Sequence, residues 1–261
     1  MQLTLDGKSK IDISIAILRE FEPPEGYYLA DSGGKDSSVL KALADLAGVK
    51  YDAHYSMTTV DPPELTRFIK REHPDTIWEV PEKNFFELCF SNGLPTRIQR
   101  WCCKLLKESG GVGRIVATGV RTEESANRSK RKIIEPCARA RKTFINPIRD
   151  WTHNDVWEFI RAEGLPYCSL YDEGFDRIGC VVCPFMGKKK QEQSMERWPT
   201  LWKLTHKASN RYWAKGTPGM KQFPTAEDYW QWWISGRTNR NVNNEDDEQQ
   251  AWHFIQEGEE E

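Results

Sequence analysis

The chain has 261 residues, of which 38% are hydrophobic, and a formal net charge of -2 at pH 7. This length suits one large domain or a core domain with an appended subdomain. Because no apolar run approaches the roughly 20 residues that cross a bilayer, and the N-terminus lacks the pattern of a secretory signal, we expect a soluble cytoplasmic protein with no membrane partner. The seven cysteines then favour metal, redox or buried-thiol roles over a disulfide framework.

Charge is unevenly distributed along the chain. Residues 97–149 contain 14 Lys and Arg against 4 Asp and Glu, whereas residues 238–261 contain 8 acidic residues and one basic residue, Arg240. The basic middle of the chain predicts attraction of a phosphate-rich ligand, with a solvated, salt-bridged surface as the alternative. The acidic tail, residues 241–261, is predicted to be partly disordered.

In chain order, apolar runs of strand length alternate with segments whose apolar residues have helical spacing. Strands are predicted at 27–30, 49–55, 76–80 and 114–120, and helices at 37–47, 61–72 and 84–90. This alternation predicts an α/β fold with a doubly wound, mostly parallel sheet and helices on both faces. A capping box formed by Thr152 and Asp155 predicts the start of another helix.

After Cys183 the sequence becomes rich in tryptophan at helical spacing, and no further strand is predicted. We therefore expect an α/β domain at residues 1–185, a helical C-terminal region at 186–240 and the acidic tail at 241–261. The aromatic residues of the C-terminal region suit a cap over an active site, a partner surface or a homodimer interface.

The segment Asp31-Ser32-Gly33-Gly34-Lys35-Asp36-Ser37 follows the first predicted strand and precedes a helix. A glycine pair lets the backbone approach an oxyanion, and the helix start presents free N–H groups and a positive dipole end. Ser32 and Ser37 add hydroxyl donors, Lys35 adds a cation, and Asp36 adds a ligand for Mg²⁺ or a structural acceptor. An ordinary glycine turn explains neither the lysine nor the aspartate. The loop therefore predicts a phosphate site for ATP or a related adenine nucleotide.

This loop lacks the spacing of a Walker loop but resembles the Ser-Gly-Gly-X-Asp-Ser loop of the PP-loop ATP pyrophosphatase superfamily. Three later segments resemble successive motifs of its phosphoadenosine phosphosulfate (PAPS) reductase family: Thr118-Gly119-Val120-Arg121, Pro147-Ile148-Arg149-Asp150-Trp151 and Leu165-Pro166-Tyr167. By position, the resemblance implies that Gly119, Arg121 and Arg128 contact the phosphate or sulfate of a nucleotide. For each arginine, a salt bridge with Glu123 or Glu124 is the alternative.

Four cysteines form two pairs, Cys102-Cys103 and Cys180-Val181-Val182-Cys183, with 76 residues between them. Four thiolates suit zinc or an iron–sulfur cluster. An adjacent pair is awkward for one tetrahedral ion, whereas the iron corners of a cubane lie farther apart. The adenylyl sulfate (APS) reductase branch of the resembled family holds a [4Fe-4S] cluster with such pairs, which implies the same cofactor here. Buried structural thiols are the remaining alternative.

Three other cysteines stand apart from these pairs. Cys89 lies in an apolar run and is expected in the core, while Cys137 and Cys168 lie in loop-like segments and are candidates for a working thiol. Sulfonucleotide reductases of the resembled family use a nucleophilic cysteine near the C-terminus, and this sequence has no cysteine after Cys183. This difference favours another reaction.

The intact loop and the four cysteines together resemble PP-loop enzymes of sulfur insertion. The expected reaction is adenylation of an acceptor by Mg²⁺-ATP with release of pyrophosphate, in which Lys35 and Asp36 are catalytic, followed by sulfur transfer. The expected partners are a sulfur or electron donor protein and a nucleic acid acceptor, held through basic residues of the 97–149 stretch: Lys130, Arg131, Lys132, Arg139, Arg141 and Lys142. The alternatives are a sulfonucleotide reductase that forms sulfite with a non-standard or partner thiol, and a binding module without turnover.

Overall fold

A six-stranded sheet is the centre of the structure, a computed structural model that describes residues 9–236. The contacts divide the chain into two units. The sheet unit comprises Met1–Pro81 and Leu106–Gly179, and the helical unit comprises Glu82–Leu105 and Cys180–Glu261. The sequence analysis predicted one boundary, at residue 185, between two continuous segments. The contacts instead place Glu82–Leu105 in the same unit as the C-terminal helices. The acidic tail lies outside the described residues.

The strands are β1 (Tyr27–Ala30), β2 (Tyr51–Ser56), β3 (Ile77–Glu79), β4 (Ile115–Ala117), β5 (Ile134–Cys137) and β6 (Lys142–Ile145). Their order is β3-β2-β1-β4-β6-β5, and all neighbouring strands are parallel except β5 and β6. Tyr28 of β1 is in register with Asp52 of β2 and Val116 of β4. The predicted α/β class with a mostly parallel sheet is confirmed.

The sheet unit contains five helices: α1 (Lys10–Glu20), α2 (Lys35–Ala47), α3 (Pro63–Glu72), α6 (Ala126–Ser129) and α7 (His153–Ala162). Five others lie in the helical unit or begin in it: α4 (Phe85–Asn92), α5 (Trp101–Leu106), α8 (Lys188–Arg197), α9 (Pro199–Trp213) and α10 (Ala226–Ile234). Helix α7 begins at the predicted capping box, where the Thr152 side chain accepts from Asp155 N. Short 3-10 helices occur at Thr122–Glu124, Ser169–Tyr171 and Pro218–Met220.

Helices α1, α2 and α7 supply the main core of the sheet unit against the apolar face of the sheet. Leu29 of β1, Leu40 of α2 and Phe159 of α7 are almost completely buried in one hydrophobic cluster. Each such side chain contributes about 1.5–3 kcal/mol on burial. This packing holds the carboxyl end of β1 and the first turn of α2 in a defined position.

The antiparallel pair β5 and β6 was absent from the sequence-based prediction. Cys137 is in register with Lys142, and the turn between them places Arg141 at a φ of 49°. A positive φ at a residue other than glycine has no strong local signal, and Pro136 within β5 argues against a strand. An edge position tolerates that proline because one side of an edge strand makes no ladder hydrogen bonds.

The helical unit has an aromatic core. Trp202 of α9 lies with its ring centroid 6.3 Å from that of Trp230 and 6.1 Å from that of Trp233, both in α10. The segment Glu82–Leu105 joins this core because Trp233 Nε1 donates to the Pro95 carbonyl at 2.6 Å. The predicted helical character of the C-terminal region is confirmed for its described residues. Among residues 9–236, no helix has the length and apolarity needed to cross a membrane.

Candidate functional site

The candidate phosphate loop lies at the carboxyl end of β1, where it connects the strand to α2. Gly33 has a φ of 64°, and a Cβ there would lie 2.5 Å from Ile69 Cγ1. Gly34 is the N-cap of α2 with no side-chain hydrogen bond. The two glycines therefore have different roles. Gly33 adopts a left-handed backbone conformation where the loop packs against α3, and Gly34 places no side chain over the start of α2.

The first turn of α2 presents N–H groups that have no acceptor within the helix. The Lys35 N–H donates to the Tyr171 hydroxyl at 2.9 Å. Burial raises the pKa of Tyr171, so the phenol stays protonated at neutral pH. Because the hydroxyl accepts from the backbone, its own O–H remains available as a donor. The helix start, with its positive dipole end, has the chemistry of an anion site.

Asp31 is a buried carboxylate beneath the loop. Its oxygens accept from Gly33 N at 2.9 Å and Thr76 Oγ1 at 3.0 Å, and one lies 2.6 Å from His73 Nδ1. Ser37 Oγ lies 3.2 Å from the same carboxylate. Burial alone would raise the pKa of Asp31, but the hydrogen bonds and the charge of His73 hold it below its ordinary value. Asp31 thus fixes the loop from inside and does not face a ligand.

Lys35, Asp36 and Arg121 form a chain of alternating charge at the first turn. Lys35 Nζ lies 3.2 Å from one oxygen of Asp36, and Arg121 Nε lies 2.6 Å from the other. Lys35 and Arg121 are only 4% and 3% exposed, whereas the Asp36 side chain is 20% exposed. Lys35 Nζ also donates to the Asp176 carbonyl at 3.3 Å. The structure therefore brings together three of the predicted site residues.

Gly119 lies directly against this helix start. A Cβ at this position would lie 2.9 Å from both the carbonyl carbon and the carbonyl oxygen of Asp36, and 3.2 Å from Ser37 N. Backbone atoms cannot rotate away as a flexible side chain can. The absence of a side chain at Gly119 therefore lets the segment after β4 pack closely against the first turn of α2.

The two predicted phosphate-binding arginines are engaged with carboxylates. Arg121 pairs with Asp36 and, through Nη1 at 3.0 Å, with Glu123. Arg128 pairs with Glu124. Arg121 lies at the start of α2, whereas Arg128 in α6 pairs with a carboxylate four residues before it in the sequence. The salt bridges weighed as an alternative are present, and Arg121 in addition contacts the loop.

The basic stretch does not act as one surface. Lys142 is 8% exposed, and its Nζ donates to the carbonyls of Glu108 at 2.8 Å and Gly110 at 2.6 Å. Burial lowers the pKa of Lys142. Arg131 pairs with Glu135 at 2.8 Å. The prediction that both contact nucleic acid is therefore wrong for Lys142, which is a structural residue beneath the surface.

The four paired cysteines all belong to the helical unit. A hydrogen bond with Cys103, burial, and the nearby thiols of Cys180 and Cys183 raise the pKa of Cys102. The two pairs therefore converge, although they are far apart in the chain. Among the described residues, no group of three or more His, Cys, Asp or Glu side chains could hold a metal ion.

Comparison with known proteins identifies the family. Residues 26–186 match the model of the phosphoadenosine phosphosulfate reductase domain. The chain belongs to the PAPS reductase family. An uncharacterized protein of Methanocaldococcus jannaschii is 32% identical over 207 residues, which are 70% of this chain and 41% of that protein. An adenosine 5′-phosphosulfate reductase of Oceanobacillus iheyensis is 29% identical over 164 residues, 59% of this chain and 67% of that protein.

The fold of the PAPS reductase family is seen in a solved relative as well. The phosphoadenylyl-sulfate reductase of Candida auris, solved as a phosphate complex, aligns with a TM-score of 0.51 and 20% identity over 69% of this chain and 97% of that chain. The chain spans about half the length of the Methanocaldococcus relatives, at 41% and 50%.

Sequence reasoning missed several residues of this PAPS reductase family site. His73 and Thr76 complete the Asp31 network, and Tyr171 and Asp176 contact Lys35. Their partners lie 42 to 141 positions away in the chain, so no local pattern marks them. Asp31 itself was within the predicted loop, and its position before the glycine pair was the available signal.

The unpaired cysteines have distinct surroundings. Cys89 is completely buried, as predicted for a core residue. Cys168 is 1% exposed and burial raises its pKa, so the expectation that it could serve as a working thiol is wrong for this state of the fold. A thiolate is the reactive form, and burial opposes its formation. Cys137 lies half-buried on β5.

Proposed function

We propose that this chain is an enzyme of the PAPS and APS reductase type whose nucleotide is Mg²⁺-ATP, from which it releases pyrophosphate while adenylating an acceptor for sulfur transfer. The observation that carries the proposal is the alternating chain of Lys35, Asp36 and Arg121 at an open helix start. Two buried cations and the positive dipole end of the helix favour an anion there.

Asp36 supports ATP over an activated sulfate. Its carboxylate lies between the two cations and keeps 20% exposure. A carboxylate beside a phosphate chain repels it unless a divalent cation lies between them, and Mg²⁺ is commonly held by one or two carboxylates together with substrate phosphates. Triphosphate with Mg²⁺ supplies this arrangement, and Asp36 is the residue that would bind the ion.

The residues of the chain account for the first step as follows. An acceptor oxygen attacks the α-phosphorus of ATP, the new P–O bond forms, and the bond to the β-phosphate oxygen breaks. Lys35 and the first-turn N–H groups stabilise the negative charge that develops on the departing pyrophosphate. Gly34 keeps the helix start free of a side chain where the phosphates approach, and Gly119 allows the segment after β4 to lie against this first turn. Tyr171 offers its O–H to the same anion.

The acceptor is proposed to be a nucleic acid, and the sulfur donor a partner protein that carries a persulfide. The terminal sulfur of that persulfide forms a bond to the activated carbon of the acceptor, the bond from this carbon to the adenylated oxygen breaks, and AMP leaves. A second thiol of the donor protein then attacks the donor-bound sulfur of the S–S bond, which releases the thiolated acceptor and leaves a disulfide on the donor. Cys102, Cys103, Cys180 and Cys183 would hold a [4Fe-4S] cluster, which the convergence of the two pairs supports. When bound, such a cluster supplies redox-active iron and a thiophilic surface.

One set of assays tests the proposal. Protein purified without oxygen is analysed for iron and sulfide, and pyrophosphate release from Mg²⁺-ATP is measured with and without total cellular RNA or denatured DNA. Sulfite release from adenylyl sulfate and from its 3′-phosphorylated form is measured in parallel. We expect pyrophosphate, and no sulfite in the absence of an added thiol. Sulfite without pyrophosphate would show that the ATP assignment is wrong.

A second candidate function is a sulfonucleotide reductase that forms sulfite with a partner thiol. It is favoured by relatives named adenosine 5′-phosphosulfate reductase, among them that of Neisseria meningitidis serogroup A, 34% identical over 139 residues, which are 50% of this chain and 55% of that protein. A thioredoxin-type dithiol in the sulfite assay separates the two candidates. If neither product appears from cluster-loaded protein, a binding module without turnover remains.

A further inference from the structure

Helix α9 carries a row of exposed cations on one side. Lys203, Lys207 and Arg211 recur at every fourth residue, so they lie along one face about 6 Å apart per step of the helix axis. The opposite side of α9 is buried in the helical unit through Trp202, Ala208 and neighbouring residues. The row is therefore held on a rigid element whose other face is anchored.

These cations lack carboxylate partners in the part of the chain that the structure describes. Within residues 9–236, no ion pair joins Lys203, Lys207 or Arg211 to an acidic side chain. Over its full length, residues 82–105 and 180–261, the helical unit contains 15 Lys and Arg against 14 Asp and Glu, so its net charge is close to zero. The row on α9 is therefore a local concentration of positive charge on one helix face. Such a concentration predicts an anionic partner.

A cavity of about 440 Å³ lies beside this row, between α4 and α9. Its apolar wall includes Phe86, Phe90 and Leu204, and its charged wall includes Lys83, Lys207 and Arg211. Phe90 and Leu204 are 37% and 43% exposed, so part of the apolar wall is open to solvent. Glu87 also lines the cavity, but one of its oxygens accepts from Asn84 N at 2.8 Å in the cap of α4.

Aromatic contacts order the basic end of the row. The Arg211 guanidinium lies 4.9 Å from the ring centroid of Phe90, and Lys215 Nζ lies 3.7 Å from the same centroid. Cations held over a ring lose less conformational freedom when they bind an anion than freely rotating side chains do. The apolar and cationic walls therefore meet at one place, Phe90.

We propose that the cavity and the α9 row bind a single-stranded nucleic acid, with phosphates along Lys203, Lys207 and Arg211 and an unpaired base against the apolar wall. This rests on the proposed function in that the strand is its sulfur acceptor. Single-strand binding combines a cationic groove for the backbone with apolar surfaces for bases. A duplex keeps its bases stacked inside, and an acidic peptide leaves the apolar wall unfilled.

Binding is measured by fluorescence anisotropy with full-length, cluster-loaded protein. The probes are 5′-fluorescein 20-mers of oligo(U) and oligo(dT) and a hairpin duplex of equal charge, at salt concentrations from 50 to 200 mM. The variant combines Lys203→Gln, Lys207→Gln and Arg211→Gln. The matched control combines Lys50→Gln, Arg67→Gln and Arg161→Gln, which remove the same charge from exposed positions of the sheet unit.

We expect the α9 variant to bind at least one of the two single strands about tenfold more weakly at low salt, and the slope of log affinity against log salt to fall by about 2, since each phosphate contact in a single strand contributes about 0.7. The control should retain affinity within about threefold. Leu204→Ser should weaken binding without altering the salt slope, because it removes apolar contact and no charge. On a purely electrostatic surface, Leu204→Ser would change neither the affinity nor the salt slope.

Several outcomes overturn the inference: no binding by the wild-type protein, equal losses in the variant and the control, equal affinity for the duplex, or equal competition by polyglutamate. Pyrophosphate release from ATP is assayed on the same preparations. Release without oligonucleotide binding contradicts the docking surface and leaves the proposed reaction standing. Oligonucleotide binding without pyrophosphate release supports the docking surface and contradicts the proposed reaction.

Discussion

At the scale of single residues, the decisive feature is that Asp31 and Asp36, five positions apart, have opposite environments. Asp31 is 2% exposed and fully enclosed by donors, whereas Asp36 faces the helix start with one cation on each side. Their surroundings therefore separate a structural carboxylate from one that can meet a ligand. The short distance in sequence conceals this difference.

Asp31→Asn is expected to destabilise the protein by about 3 kcal/mol at pH 7, because a buried acceptor of several hydrogen bonds becomes an amide that repels half of its donors. The lowered pKa of Asp31 means that its carboxylate stabilises the fold above the unfolded-state pKa, about 3.9, and that this contribution is lost as pH falls through the folded-state pKa. Urea unfolding measured from pH 7 downward checks both points.

The control for that experiment is Asp75→Asn. Asp75 is 55% exposed and pairs with Lys41 at 3.0 Å, so its loss should cost less than about 1 kcal/mol. The gap in unfolding free energy between wild type and Asp31→Asn should narrow as pH falls below about 4. A gap that stays constant down to acid pH would contradict the assigned role.

At the scale of secondary-structure elements, the contact between the end of β4 and the start of α2 determines the shape of the phosphate site. Gly119→Ala should destabilise the fold by about 1–3 kcal/mol, since its Cβ meets backbone atoms of Asp36 that cannot move without shifting the helix. ATP binding should weaken more than stability alone explains. Thermal unfolding and calorimetric titration with Mg²⁺-ATP measure the two effects.

Gly219→Ala is the matched control, because a Cβ there meets no atom within 4 Å. It should leave both measurements nearly unchanged. Equal behaviour of the two alanine variants would mean that the close approach at Gly119 has no energetic weight.

Elements with a strong local signal were predicted well, and elements without one were not. The loop, β1 and the capping box at Thr152 each carry their pattern within a few residues. The hairpin of β5 and β6 depends on the edge position of β5 in the sheet. The hydrogen bonds of Asp31 depend on His73 and Thr76, which lie in the segment that follows α3. Local sequence contains no information on such partners, which tertiary packing selects.

At the scale of the whole molecule, the candidate nucleotide site and the four paired thiols belong to different units. Lys35→Ala should therefore abolish pyrophosphate release and retain iron, while Cys180→Ser should lose iron and retain ATP binding. Iron analysis and calorimetric titration with Mg²⁺-ATP check these outcomes. Cys137→Ser, a half-buried cysteine on β5, should retain both properties. If the first two variants lose both properties together, general misfolding explains them better than separate sites.

Glu82–Leu105 interrupts the sequence of the sheet unit but belongs to the helical unit. The sequence-based prediction did not include this, because a single boundary along the chain assumes that each unit is one continuous segment. The join depends on contacts such as Leu94 N to the Tyr229 hydroxyl at 2.8 Å, which spans 135 positions. The resemblance of the cysteine pairs predicts a cluster, which stays a prediction, and it does not indicate that both pairs belong to the helical unit.

The division of the helical unit between two segments also has a consequence for synthesis. At about 5–20 residues per second, Cys102 is translated about 4–16 s before Cys183. During that interval the first pair is exposed to oxidants and stray metals on a nascent chain that has not yet made its partners. The group of four thiols can therefore assemble only after the second segment of the helical unit has been synthesised.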